Sequence, residues 1–252
     1  MDNAASQGRP LDAFPTKVWE ILSQKKVYFG HQSVGGNIID GIKDILGRQA
    51  VVRLDIRETT NPADFVRPIF AHSLIGRNTD PRSKIDHFRI ILESGIGQAA
   101  DLAMFKLCFV DIDGGTDLES LFEHYSDAIA ALERKFPHLR IVTWSVPLTG
   151  LPPGLKSLVK RLMGRASSPA TENIPRNTFN QKLRSRFGDA LFDLARAETT
   201  LESGARSAFK VAGRSHERLR RAYSGDGGHL NALGSRAIAR ELLDFLAQTF
   251  SI

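Results

Sequence analysis

Three residues in this chain have the types needed for nucleophilic acyl chemistry, and they lie near its two ends. Ser33 sits in "VYFGHQSVGGNI" (27–38), where an apolar run meets a knot of Gly, His, Gln and Ser. A serine hydroxyl is a poor nucleophile until a base takes its proton, so Ser33 requires a histidine delivered from elsewhere. His229, in "GDGGHLNALG" (225–234), is the leading candidate, because it stands in a Gly-rich loop just before an apolar-periodic segment. Asp226, three residues earlier, is near enough to fold back and hold the imidazole, fixing its tautomer and stabilising its charged form. Each residue also has a plainer role open to it. Ser33 fits the N-cap of a helix, His229 a surface loop, and Asp226 a turn or cap beside Gly227 and Gly228. What joins the three is placement, since both fragments fall at strand-to-helix corners, first and last in one alternating pattern.

Other residues offer chemistry on weaker grounds. His31, beside Ser33, can assist a ligand or simply pack and bond to backbone, and His72 lies in a loop where a polar surface role is the commoner one. Asp111, Asp113 and Asp117 form an acidic cluster, but they lack the spacing and terminal bidentate Glu of a calcium loop, so no metal is expected. "VGGN" after Ser33 comes with neither Gly-Lys-Ser/Thr nor Gly-x-Gly-x-x-Gly, which argues against a nucleotide cofactor. The single cysteine, Cys108, sits in the apolar "KLCFVD" and reads as a buried small hydrophobe.

The elements that must position these residues follow from periodicity. "FPTKVWEILSQKK" offers a short helix with Val18, Ile21 and Leu22 on one side, "VYFG" a compact strand, and "NIIDGIKDILGR" an amphipathic helix stopped by Gly47. "VVRLDIRE" alternates as a strand, whereas residues 61–83, rich in Asn, Pro, Gly and Arg, read as a long irregular connection of the kind that is often functional. "KIDHFRIILESGI" is helical, and "LAMFKLCFVDI" fits a strand buried on both faces. "DLESLFEHYSDAIAALERKF" is a helix and "RIVTWSVPLT" another strand. Residues 150–177, with "LPPG" and "SSPA", are a candidate flap or insertion. "RNTFNQKLRSRFG" reads as helix, "ALFDLARAE" as a short strand running into a loop, and "NALGSRAIARELLDFLAQTF" as a C-terminal helix with Ile238, Leu242, Phe245 and Leu246 on one face. Strands alternating with helices imply a mostly parallel sheet covered on both sides.

The chain's 252 residues and 42% apolar content suffice for one large core, so a single domain over 1–252 is expected. No stretch approaches the roughly 20 apolar residues of a membrane span, which predicts a soluble chain. The opening "MDNAASQGRP" lacks the basic and apolar regions of a secretory signal, as fits either a cytoplasmic chain or an exported one whose signal is gone. Of the net charge of +6, residues 156–221 carry 15 Lys and Arg against 6 Asp and Glu, or +9, leaving −3 elsewhere. Those charges are interleaved with apolar residues at helical spacing and no nucleic-acid motif accompanies them, so a solvated helix face is expected and no specific nucleic-acid partner.

The fragments also carry a family resemblance. "DGGHLNALGSRAIA" resembles the C-terminal block of the SGNH (GDSL-type) esterases and lipases, in which Asp, two residues and His precede Leu-Asn and Gly. "YFGHQSVGGNI" resembles the first block, where an apolar strand delivers the nucleophilic Ser, and the blocks follow in the family's order over most of the chain. The resemblance implies a three-layer α/β/α, flavodoxin-like fold. It also implies an ester hydrolase in which Ser33 attacks, His229 is general base and Asp226 orients it, acting on a small-molecule or carbohydrate ester such as an O-acetyl sugar. The chain departs from the pattern in two places. Gly30, His31, Gln32 and Ser33 replace Gly-Asp-Ser, and "DIDGGTD" holds no Asn where the family has its third oxyanion donor. Gly76 in "HSLIGRNTD" is the candidate second donor. The missing third comes from Asn78 or Gln32, or else Asp111 is protonated or structural, because an ionised Asp repels a developing oxyanion. Two other outcomes share the same frame, an acyltransferase acting on a polysaccharide and a catalytically silent binding module.

Overall fold

The computed structural model describes residues 15–48, 54–150 and 169–251. Six parallel strands make the central sheet: β1 (Lys26–His31), β2 (Ile56–Glu58), β3 (Ile69–Leu74), β4 (Leu102–Phe105), β5 (Arg140–Trp144) and β6 (Leu191–Phe192). Their order across the sheet is β2-β3-β1-β4-β5-β6. Without the short edge strand β2, this is the second-first-third-fourth-fifth order of flavodoxin-like folds, whose switch point lies at the first strand. The longer helices among the described residues are α1 (Thr16–Leu22), α2 (Val34–Gly47), α3 (Pro81–Ile91), α4 (Leu118–Lys135), α5 (Pro169–Phe187), α6 (Leu194–Thr199) and α7 (Ala232–Thr249).

Side-chain alternation along the strands sorts the core into two layers. Val27, Phe29, Met104, Val142 and Trp144 face α2 and α7, whose Ile38, Ile42, Ile238 and Leu242 have no exposure. Tyr28, Ala103, Phe105 and Ile141 face the other way, onto Phe88 of α3, Tyr125 of α4 and Phe179 of α5. Each large side chain so buried contributes roughly 1.5–3 kcal/mol. The three-layer α/β/α architecture expected above is therefore present. Helices α2 and α7 approach so closely that a Cβ on Gly41 would lie 2.2 Å from the Ser235 carbonyl oxygen.

Several elements differ from expectation. The connection 61–83 contains β3, a full strand beside β1, and the first turn of α3, with Asp80 as its N-cap and Pro81 at its first position. Strand β4 ends at Phe105, and the rest of the apolar run turns through a 3₁₀ segment, Phe109–Asp111. Of "VVRLDIRE" only Ile56–Glu58 pairs as a strand, residues 51–53 lying outside the described residues. The 150–177 insertion is likewise described only in part, and α5 already runs through its last residues. The "DLARAE" stretch forms α6, not a loop, and an antiparallel hairpin, β7 (Ala208–Val211) and β8 (Arg214–Glu217), follows it. Among the described residues no helix is long and apolar enough to cross a membrane.

Candidate active site

Strand β1 ends at His31, and two residues later Ser33 occupies the N-cap position of α2. Its backbone lies at φ 25°, ψ −90°, a region that costs a non-glycine residue about 1–3 kcal/mol. The side chain does not cap the helix, and the Ser33 hydroxyl meets no hydrogen-bonding partner among the described residues. The plain capping role is thus absent. What remains is a strained serine with a free hydroxyl, at a helix N-terminus whose unpaired N–H groups favour negative charge.

The Asp226–His229 unit is built by its own loop. One carboxylate oxygen of Asp226 accepts N–H bonds from Gly228 and His229, both at 2.8 Å, and a bond from the Ser224 hydroxyl at 3.1 Å. The other oxygen stands 2.7 Å from His229 Nδ1. Partial burial pushes the Asp226 carboxyl up, but the Gly228 N–H, the His229 ring and N–H, and the Ser224 hydroxyl together hold it well below the ordinary carboxylate range. An ionised carboxylate only accepts, so His229 Nδ1 carries the proton between them, and in the neutral ring the lone pair is on Nε2. Gly227 takes φ 89° to make this turn, and its carbonyl accepts from Gly150 N–H at 2.7 Å, tying the loop to the exit of β5.

Two contacts bring the ends of the chain to one rim. The amide oxygen of Asn37, one turn into α2, accepts the Leu230 N–H at 3.3 Å, so the helix headed by Ser33 is pinned beside the residue that follows His229. Phe109, on the loop after β4, packs edge-on against the His229 ring with centroids 5.8 Å apart, and the buried Arg176 guanidinium also lies 5.8 Å from its ring. Neither Asn37 nor Phe109 was expected from the sequence. Asn37 was nonetheless visible in "SVGGN", on the same helical face as Ser33.

The remaining expected site residues are held in other ways. Gln32 donates to the Ile75 and Gly76 carbonyls at 2.9 and 3.2 Å, which engages its amide in latching two loops together. The Gly76 N–H donates to His87 Nδ1 at 3.0 Å and so is not a free oxyanion donor. Asp111 is structural. Fully buried, it pairs with the equally buried Lys84 at 2.6 Å and accepts the N–H groups of Cys108 and Thr79 at 2.6 and 2.9 Å. Asp113 closes a turn onto Gly115 and Thr116, and Asp117 caps α4 through Ser120 N–H. His31 and His72 are buried side by side, Nε2 of the first 3.1 Å from Nδ1 of the second, so His72 is a strand residue and not loop surface. Burial, with His72 and Lys106 nearby, lowers the His31 pKa to about 3, keeping it neutral. Cys108 is buried, as its apolar setting predicts.

No protein-family model and no curated protein sequence matches the chain. Solved structures do share its fold. One is a Streptococcus pneumonia protein carrying a provisional assignment as a platelet activating factor, at 14% identity and TM-score 0.52, with 92% of this chain and 90% of that one aligned. Another is the periplasmic domain of the lipopolysaccharide acetyltransferase of Salmonella ser. Paratyphi A, at 14% identity and TM-score 0.52, covering 93% and 90%. At such identity the likeness is one of fold, and it agrees with the three-layer arrangement of the sheet and helices.

Proposed function

We propose that the chain is a divergent SGNH-type enzyme, one domain over 1–252, that cleaves carboxylic esters through an acyl-enzyme on Ser33. The observation that carries the reading is an uncapped, strained Ser33 at the head of α2, a helix that Asn37 pins to Leu230, beside an imidazole whose Nδ1 lies 2.7 Å from an ionised Asp226. Ser33 Oγ attacks the acyl carbon as its proton passes to His229 Nε2. The tetrahedral adduct collapses, the C–O bond breaks, and the alcohol leaves with that proton. Water then attacks the acyl-enzyme, giving a proton to His229, and the carboxylic acid departs as Ser33 is restored. The negative charge on the carbonyl oxygen falls at the head of α2, where the Ser33 N–H donates to no described group. An O-acetyl group on a carbohydrate is the favoured substrate, and the shared fold of the lipopolysaccharide acetyltransferase domain supports acetyl chemistry and leaves transfer to a second alcohol as the close variant.

One observation favours a silent binding module instead, namely that the Gly76 N–H and the Gln32 amide are both engaged. Labelling with a fluorophosphonate probe, followed by mapping of the modified residue, separates the readings. Modification at Ser33, together with loss of p-nitrophenyl acetate hydrolysis in Ser33→Ala by at least about 10³-fold, is the expected result. Equal rates in wild type and Ser33→Ala would remove Ser33 from the chemistry.

A further inference from the structure

A serine hydrolase needs more than one donor for the oxyanion, and the structure engages the backbone N–H of Gly76 elsewhere. The loop that carries Gly76 offers another. Lys84, on the first turn of α3, is fully buried and places Nζ 2.6 and 2.8 Å from the two oxygens of Asp111 and 2.9 Å from Oδ1 of Asn78. An ammonium has three N–H groups and no lone pair, so these three acceptors use it completely and the Asn78 atom facing it is the carbonyl oxygen. The orientation of the Asn78 amide is thereby settled by chemistry. Its NH₂ group lies away from the ion pair and donates to no described group, on a residue that is exposed.

The same ion pair fixes where that amide stands. Asp111 accepts the N–H of Thr79, the residue after Asn78, which holds φ 67°, and also the N–H of Cys108 on the loop that carries Phe109 to His229. Gln32, the neighbour of Ser33, bonds to the carbonyls of Ile75 and Gly76 in the same short loop. One buried salt bridge therefore ties together the loops that flank the serine and the histidine. Its desolvation is costly and adds little to net stability, so a positioning role gives it a reason to be there.

We infer that the Asn78 side-chain amide donates to the oxyanion formed on the acyl group, and that Lys84 and Asp111 are positioning residues that aim it. The inference rests on the esterase reading of Ser33 and supplies from the second loop the donor missing from the third. Steady-state p-nitrophenyl acetate kinetics test it. Asn78→Ala, at an exposed position, is expected to lower kcat about 10²-fold with KM changed less than about threefold, and Asn78→Asp to lose at least as much. Lys84→Met should lower kcat to a similar degree, and the Lys84→Met/Asn78→Ala double variant should fall no further than Asn78→Ala alone, because the lysine acts through the amide. Where Lys84→Met does not fold, Lys84→Arg, which keeps a charge opposite Asp111 but no compact third donor, enters the same cycle. An inactive Ser33→Ala beside an Asn78→Ala within twofold of wild type overturns this inference alone. Additive losses in the cycle overturn the positioning role of Lys84. A fully active Ser33→Ala overturns the esterase reading beneath both.

Discussion

At the scale of single residues, the carboxylate of Asp226 acts on His229 by setting which ring nitrogen is bare. Asp226→Asn would still accept the Gly228 and His229 N–H groups through its carbonyl, but its NH₂ would face Nδ1 and donate to it. The proton would move to Nε2, and on the esterase reading the ring could no longer deprotonate Ser33. A fall in kcat of about 10³–10⁴-fold with unchanged far-UV circular dichroism is expected, measured on p-nitrophenyl acetate. Retention of a tenth of the wild-type rate would show that the tautomer is set by something else. The Asp226–His229 pairing was legible in the sequence because it is local, spanning three residues and needing only a Gly-rich turn. The conformation of Ser33 was not legible, since a serine before a helix most often caps it and nothing in "HQSVGG" announces φ 25°. Nor was the engagement of Gly76 by His87 or the burial of Lys84, both of which depend on how α3 docks.

At the scale of elements, the contact between α2 and α7 holds the two halves of the site in register. Gly41 allows it, and a methyl group there would collide with main chain at Ser235, which cannot swing aside as a side chain can. Alanine gains helix propensity over glycine by about 1 kcal/mol, yet overpacking costs about 1–3 kcal/mol. Gly41→Ala should therefore lower the urea midpoint and, on the esterase reading, should lower kcat by more than the stability loss alone implies, as Ser33 heads α2 and His229 stands three residues before α7. An unchanged midpoint would mean that the helices shift apart freely. Periodicity revealed α2, α4 and α7 well, because their buried faces repeat every three or four residues. It missed β3, whose inward positions include His72 and Ser73, polar residues that break the apolar alternation of "IFAHSL". It missed the β7–β8 hairpin too. There Ala212 and Gly213 take φ 47° and 78° in a tight turn usually marked by Asn-Gly, and the flanking strands are half exposed.

At the scale of the whole molecule, buried titratable groups give stability a pH dependence with opposing parts. His31, about 3 in the folded chain against an ordinary 6.5, leaves the unfolded chain holding an extra proton between those values. Its contribution is complete above about pH 6.5 and is lost as pH falls toward 3. Glu198 runs the other way. Burial first of all, and the Asp193 charge, push it up to about 8 against the pull of the Leu148 N–H and Lys106, so its contribution is complete below about 4.5 and is lost as pH rises toward 8. Each bound proton is worth about 1.4 kcal/mol per pH unit. Between pH 5 and 6.5, His31→Gln should therefore make the slope of unfolding free energy against pH more negative, and Glu198→Gln should make it more positive. Identical slopes for all three proteins would show that these groups titrate normally. Part of the charge in 156–221 is paired over its described residues. Arg184 and Arg206 converge on Glu217 at 3.4 and 2.8 Å, and Lys182 meets Glu119 at 2.7 Å.

The bond between Asn37 and Leu230 joins positions 193 apart. During synthesis the serine half leaves the ribosome long before the imidazole half exists, so on the esterase reading a nascent chain has no base with which to acylate itself on an ester it meets. On the esterase reading, turnover in a refolding experiment would begin only after the last helix docks, trailing the recovery of sheet and helix signals, and would serve as a clock for the completion of folding.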